Sequence, residues 1–194
     1  IWREFYQMVV YHFPYVKSGA FQKKYQHLKF PGNETLLNAW KNGQTGFPIV
    51  DAAMRCLNET GWMHNRLRMI VASFLTKILL VDWKKGERYF AWKLLDYEFA
   101  SNNGGWQWAS GTGCDAAPYF RIFNPTSQSK TYDEHGEFIK KWCPELNLLS
   151  SKQIHEPITA KDLPVNFELG KTYPKPIVNY KDQRLKALEL YKSV

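Results

Sequence analysis

The sequence predicts an all-α fold. Three observations carry that reading: apolar residues recur at the 3.6-residue period in several stretches, Pro and Gly sit where helices open and close, and strand-type alternation bounded by Asn-Gly turns is missing. At 194 residues and 44% hydrophobic, the chain can bury a substantial core as one domain spanning 1–194.

The chain opens on Ile1 with "IWREFYQMVVYHF", an amphipathic helix already under way, which reads as the C-terminal portion of a longer protein. "TGFPIVDAAMRCLNETG" places Pro48 where a first helical turn tolerates it and Gly61 where a left-handed residue closes the helix, so a helix is expected over 48–60. In "HNRLRMIVASFLTKILL" the residues Ile70, Val71, Phe74, Leu75, Ile78 and Leu79 make a broad apolar stripe, the mark of a core helix. "KGERYFAWKLLDYEFA" repeats the pattern, and "EHGEFIKKW" gives a shorter helix after Asp133. "KDQRLKALELYKS" closes the chain, with Leu185, Leu188 and Tyr191 expected on one side. Irregular loops are expected at 14–34, 101–130 and 143–180, and loops that long in a compact domain are usually functional.

The formal charge of +8 favours a polyanionic partner such as nucleic acid, although no polybasic run concentrates it. The longest apolar run, 70–81, is interrupted by Ser73, Thr76 and Lys77 and falls short of the ~20 residues a bilayer crossing needs. Cys56, Cys114 and Cys143 are odd in number and widely spaced, which signals neither a disulfide framework nor a zinc site and points to a reducing cytoplasm. The sequons at Asn33 and Asn58 then read as chance matches, and of the five histidines only His64 is expected away from surface or loop positions. No Ser-His-Asp signature, phosphate-cradling loop or metal-ligand cluster stands out, so no metal is expected.

Three segments carry polar chemistry. On a helix starting near His64, Asn65, Arg68 and Met69 share one face, which suits a pocket for a planar polar ligand, while Arg66 points about 100° away, towards a phosphate. Asp96 and Glu98 stand near a helix end, where the macrodipole disfavours acids; Arg68 is a candidate partner for Asp96, leaving the other carboxylate for a ligand N–H. In "NNGGWQW", Asn102, Asn103, Gly104 and Gly105 are expected to end that helix in a bend, with Trp106 and Trp108 following on opposite sides of an extended segment.

"WMHNRLRM", "NNGGWQW", "DAAPYFRIFNP" and "PIVDAAMR" resemble the C-terminal helical, FAD-binding domain of the DNA photolyase and cryptochrome family, and are most similar to its cyclobutane-pyrimidine-dimer photolyases. The resemblance runs from Trp2 to about Tyr191. It implies a multi-helix FAD-binding domain whose parent protein also carries an N-terminal antenna domain with its own chromophore and the first helices of the catalytic domain. It further implies a cytoplasmic, monomeric full-length enzyme that uses reduced FAD and blue light to split pyrimidine dimers in DNA.

Residue by residue, the resemblance implies that Asn102 lies against flavin N5, that Asp96, Tyr97 and Glu98 line the flavin, and that Arg68 and Asp96 pair beside its ring. Position 98 holds Glu where the commonest family version has Asp. Trp2, Trp108, Asn65 and Met69 would form the cavity for the flipped-out dimer, with Arg66, Gln128 and Lys130 on DNA phosphates or the opened helix. Trp106 and Trp83 match the first two positions of an electron-hole chain whose third Trp is replaced here by Phe30; either a neighbouring tyrosine, with Tyr25 the candidate near in sequence, takes the hole, or the chain stops at Trp83, and the second is expected. A cryptochrome without repair activity is the alternative. Against it stand Asn102, where plant cryptochromes have Asp, and the complete set of dimer-cavity residues; a (6-4) photoproduct enzyme would be expected to show histidine near Asn65.

Overall fold

A computed structural model describes all residues 1–194. It is all-α, as the periodicity predicts: nine helices run in chain order as α1 (Trp2–His12), α2 (Glu34–Lys41), α3 (Pro48–Thr60), α4 (Asn65–Lys77), α5 (Trp83–Lys93), α6 (Phe99–Ser110), α7 (Pro125–Tyr132), α8 (Glu137–Trp142) and α9 (Tyr180–Lys192). No helix is long and apolar enough to cross a membrane.

Helix α3 begins at Pro48 and closes on Gly61 at φ 69°, as the punctuation predicts. Helix α4 lies at the centre and packs on α3, α5, α6, α7 and α9. Its stripe of Ile70, Val71, Phe74 and Leu75 is buried, and each such side chain removed from water contributes about 1.5–3 kcal/mol. Lys77, in the last turn of α4, is buried as well, with Nζ donating to the Arg121 carbonyl at 3.2 Å.

Four expectations are corrected. The 101–130 loop is mostly helix: Glu98 caps α6 by accepting from the Ala100 and Ser101 N–H groups at 2.9 Å each, and "NNGGWQW" lies inside α6, which closes only at Gly111, φ 81°. Helix α7 escapes the periodicity because "PTSQSKTY" has almost no apolar stripe; Asn124 caps it and Pro125 opens it. Leu185 is exposed, and α9 docks instead through Ala187 and Tyr191. His64 is exposed, as the N-cap of α4 whose Nδ1 accepts from the Arg66 N–H at 3.1 Å; His155 lies in a loop as expected, with its ring buried between the Ser129 hydroxyl and the Glu134 carbonyl.

Helix α2, which fills the stretch after the 14–34 loop, is capped by Asn33, whose side chain accepts from Leu36 N–H at 3.0 Å. Residues 14–33 hold only short 3-10 turns. Two polar residues of α6 secure it: Gln107 accepts from the Phe21 N–H at 2.8 Å, and Asn103 donates to the Val16 carbonyl at 3.1 Å. The irregular 143–179 segment is tied down by Tyr173, whose hydroxyl donates to the buried Asp51. Asp51 also accepts from the N–H and hydroxyl of Thr45 and from the Gly46 N–H; burial pushes its carboxyl above the ordinary range against those bonds.

Candidate functional site

A cavity of about 440 Å³ opens where α1, α4, α5 and α6 converge. From α1 come Trp2, Arg3 and Tyr6; from α4 Asn65, Arg68, Met69 and Ala72; from α5 and its exit Phe90, Leu94, Asp96, Tyr97 and Glu98. Helix α6 supplies Ser101, Asn102, Gly105, Trp106 and Trp108, and Asp115 follows from the next loop. Ten of the residues singled out from sequence are therefore gathered here: Trp2, Asn65, Arg68, Met69, Asp96, Tyr97, Glu98, Asn102, Trp106 and Trp108.

The pairing of Arg68 with Asp96 is present. The guanidinium reaches the two carboxylate oxygens at 3.1 and 2.9 Å, while its Nε donates to the Met63 carbonyl at 2.7 Å, which aims the fork. On the same face Asn65 Nδ2 lies 3.8 Å from Met69 Sδ. Glu98 departs from expectation, because its oxygens are occupied by the Ala100 and Ser101 N–H groups and the Ser101 hydroxyl. Burial pushes the Glu98 carboxyl up, but those hydrogen bonds hold it below its ordinary value, so it is the anion that caps α6.

Asn102 has a partner on another helix that no motif marks. Both oxygens lie on Glu87 of α5: Asn102 Nδ2 donates to the Glu87 carbonyl at 3.1 Å and to Oε1 at 2.9 Å. That fixes the amide orientation and leaves Oδ1 as its uncommitted atom. The only local hint was an acid one position after Gly86 and three before Phe90, on the inner side of α5. Burial raises the Glu87 carboxyl despite the Asn102 bond. Arg3, Tyr6, Ser101 and Asp115 were likewise missed, since each reaches the cavity by packing rather than by motif.

Both glycines of "NNGGWQW" are explained by what stands beside them. A Cβ on Gly104 would fall 2.2 Å from the Tyr6 ring, so α1 and α6 touch there, whereas a Cβ on Gly105 would meet nothing within 4 Å and would project into open space at the cavity. Trp106 is buried with its ring 5.0 Å from Phe90 and 6.0 Å from Trp40, and Gly86 leaves room for it, since a Cβ there would fall 2.2 Å from the indole. Trp108 is half-buried and Trp2 exposed at the rim.

Four of the singled-out residues lie outside the cavity. The Arg66 guanidinium stacks 4.6 Å from the Tyr132 ring of α7, a cation–π contact rather than a free arm. Lys130 is exposed on α7, and Gln128 buries an Oε1 that has no hydrogen-bond partner. Trp83 is buried at the start of α5. Phe30 packs against Tyr191 with centroids 6.5 Å apart, and Tyr25 meets Tyr191 at 5.6 Å.

The family described as the FAD binding domain of DNA photolyase matches residues 1–193. The chain belongs to this family. Among curated relatives, the deoxyribodipyrimidine photo-lyase of Escherichia coli K12 is 52% identical over 195 residues, covering 100% of this chain and 40% of that protein. That of Vibrio cholerae is 53% identical over 194 residues with the same coverage. The chain thus spans about 40% of the length of these photolyases. Among solved structures, a bacterial class III photolyase from Agrobacterium tumefaciens superposes with a TM-score of 0.95 at 45% identity, over 99% of this chain and 40% of that one. An archaeal photolyase from Sulfolobus tokodaii, solved with two FAD molecules, gives 0.90 at 43% identity over 100% of this chain and 43% of that one. A cryptochrome from Synechocystis gives 0.90 at 36% identity over 97% and 40%.

The cavity suits the photolyase flavin on its own chemistry. It offers the uncommitted Oδ1 of Asn102, a guanidinium held in place by Asp96, an indole wall from Trp106, and at Gly105 a backbone with no side chain in the way.

Proposed function

We propose that the chain is the flavin-binding catalytic domain of a photolyase that repairs cyclobutane pyrimidine dimers in DNA under blue light. The observation that carries this reading is the shared wall of one cavity: the residues assigned to the flavin (Arg68, Asp96, Asn102, Trp106) and those assigned to the lesion (Trp2, Asn65, Met69, Trp108) face the same space. Bound reduced FAD supplies the one-electron chemistry that opens the dimer. The protein's part is to bind, orient and keep out water.

Asn102, its amide held by Glu87, presents Oδ1 as an acceptor to a flavin N–H, and the Arg68–Asp96 pair offers one charged group of each sign to the polar edge of the ring. Enzymes that act on a base inside a duplex first take it out of the stack, and two aromatic faces at the mouth, Trp108 and Trp2, offer replacement stacking for the extruded pyrimidines. Asn65 adds hydrogen-bonding groups at that mouth, and Met69 a deformable apolar contact. Arg66, Gln128 and Lys130 belong to the DNA-facing side in this reading, and the +8 charge fits a polyanion.

The test is dimer splitting by the full-length protein under blue light, with a dark control. Repair that depends on light is expected. The likeness to the Synechocystis cryptochrome supports a second reading, a light-sensing flavoprotein without repair. Flavin photochemistry without dimer splitting would favour it.

A further inference from the structure

Behind Trp106 the core holds a second run of oxidisable rings that leads outwards. Trp106 meets Trp40 of α2 at 6.0 Å between centroids, inclined by 74°, and Trp40 meets Tyr89 of α5 at 5.8 Å, inclined by 63°. Trp40 is completely buried, whereas Tyr89 is only partly so. The three rings therefore form a continuous path from the cavity wall to the surface. Phe90 packs beside both indoles, but its benzene ring is far harder to oxidise and serves as filler.

The chain that the resemblance draws through Trp83 ends less favourably. Its third position holds Phe30, and the tyrosine against Phe30, Tyr191, is 2% exposed with its hydroxyl donating to the Ser110 carbonyl. A phenol gives up an electron readily only when its proton can leave with it, and a buried carbonyl cannot keep that proton. Tyr89 differs in this respect. Its hydroxyl is only partly buried and donates to Asn58 Oδ1, with the Lys41 carbonyl farther off at 3.4 Å, and the ammonium groups of Lys41 and Lys93 lie 5.6 and 5.8 Å from its ring. Two cations that close disfavour a positively charged ring, so they favour loss of the proton together with the electron.

We propose that Trp40 and Tyr89 form an electron-supply route to the cavity, running from solvent through Tyr89 and Trp40 to Trp106. The proposal rests on the flavin reading of the cavity. One electron passes from Trp106 to photoexcited oxidised flavin; Trp40 refills Trp106, and Tyr89 refills Trp40. Tyr89 releases its phenolic proton to water and becomes a neutral tyrosyl radical, which a small thiol in solution restores by donating one electron and one proton. Phe30 then does not by itself end photoreduction.

The experiment uses the full-length, flavin-loaded protein, illuminated with dithiothreitol present for yields and without it, then frozen, for electron paramagnetic resonance. A tyrosyl signal is expected in the parent protein, retained in Tyr191→Phe and lost in Tyr89→Phe and Trp40→Phe, with the photoreduction yield in the last two falling below half. Flavin content and melting temperature report whether Trp40→Phe folds; Tyr89→Phe removes a single oxygen and decides the matter if it does not. Absence of a tyrosyl signal in the parent, a signal that survives Tyr89→Phe, a signal lost instead in Tyr191→Phe, or an undiminished yield in Tyr89→Phe overturns the route. Trp106→Phe separates the two levels: undiminished photoreduction in that variant overturns the electron-donor reading of Trp106 itself, whereas its loss alongside a normal Tyr89→Phe overturns only the route.

Discussion

Lys77 places an ammonium group in the core at the last turn of α4, where the Arg121 carbonyl accepts its hydrogen bond and the Arg121 guanidinium repels it. Burial, and then repulsion from Arg121, lower its pKa from 10.5 to about 8. Between those values the unfolded chain holds a proton that the folded chain has released, so this residue makes stability rise with pH from about 8 to 10.5 and weakens the fold below. Lys77→Met should therefore be more stable than the parent at pH 7, with a margin that shrinks as pH rises to 10 by roughly 3 kcal/mol at most. Urea unfolding of both proteins at the two pH values checks this, and a margin independent of pH would refute it. At the cavity mouth, Trp108→Ala in the full-length protein should cost roughly 1–3 kcal/mol of affinity for dimer-containing DNA, the worth of one base stack, without changing flavin content. Binding isotherms beside flavin absorbance measure the two quantities, and a drop in flavin with unchanged DNA binding would reverse the assignment.

Among the elements, α6 supplies five of the residues that line the cavity, and its two adjacent glycines have separable duties. Each glycine costs a helix interior about 1 kcal/mol relative to alanine. Gly104→Ala should drive its methyl into the Tyr6 ring, which an ideal Cβ approaches to 2.2 Å, and destabilise the α1–α6 contact by about 1–3 kcal/mol. Gly105→Ala meets no atom within 4 Å, so the fold should tolerate or gain from it, while the methyl enters the cavity and lowers flavin occupancy. Melting curves and flavin-to-protein ratios of the two full-length variants distinguish these outcomes; equal stability losses would show that the two positions are not so divided. The same helix explains why polar residues stand beside its tryptophans. Asn103 and Gln107, four apart, turn one face towards the 16–21 segment and fasten it with side-chain amides, so α6 holds the cavity on one side and an irregular loop on the other.

Across the whole molecule, α1 is the least supported element. It buries no residue, and Trp2, Phe5, Met8 and Tyr11 are exposed although its face towards α6 is packed. Trp2, Arg3 and Tyr6 nonetheless form part of the cavity, so the site depends on a helix that little else holds. The 194-residue chain by itself should retain flavin weakly and bind a hydrophobic dye, and stoichiometric flavin after gel filtration would contradict this. The sequence by itself determined the helical class, the limits of α3 and the buried stripe of α4, because Pro48, Gly61 and a 3.6-residue apolar period act over a single turn or two of chain. It also placed Asn65, Arg68 and Met69 on one face, a local geometric fact. Only the tertiary structure decided that "NNGGWQW" is helix rather than bend, that Glu98 caps it rather than meets a ligand, that Glu87 orients Asn102, and that Trp40 stands behind Trp106. The physical reason is range. Local propensity charges a helix about 1 kcal/mol for each glycine, and what offsets that charge is the fit of Tyr6 against Gly104, the N-terminal cap, and amide bonds to residues more than eighty positions away.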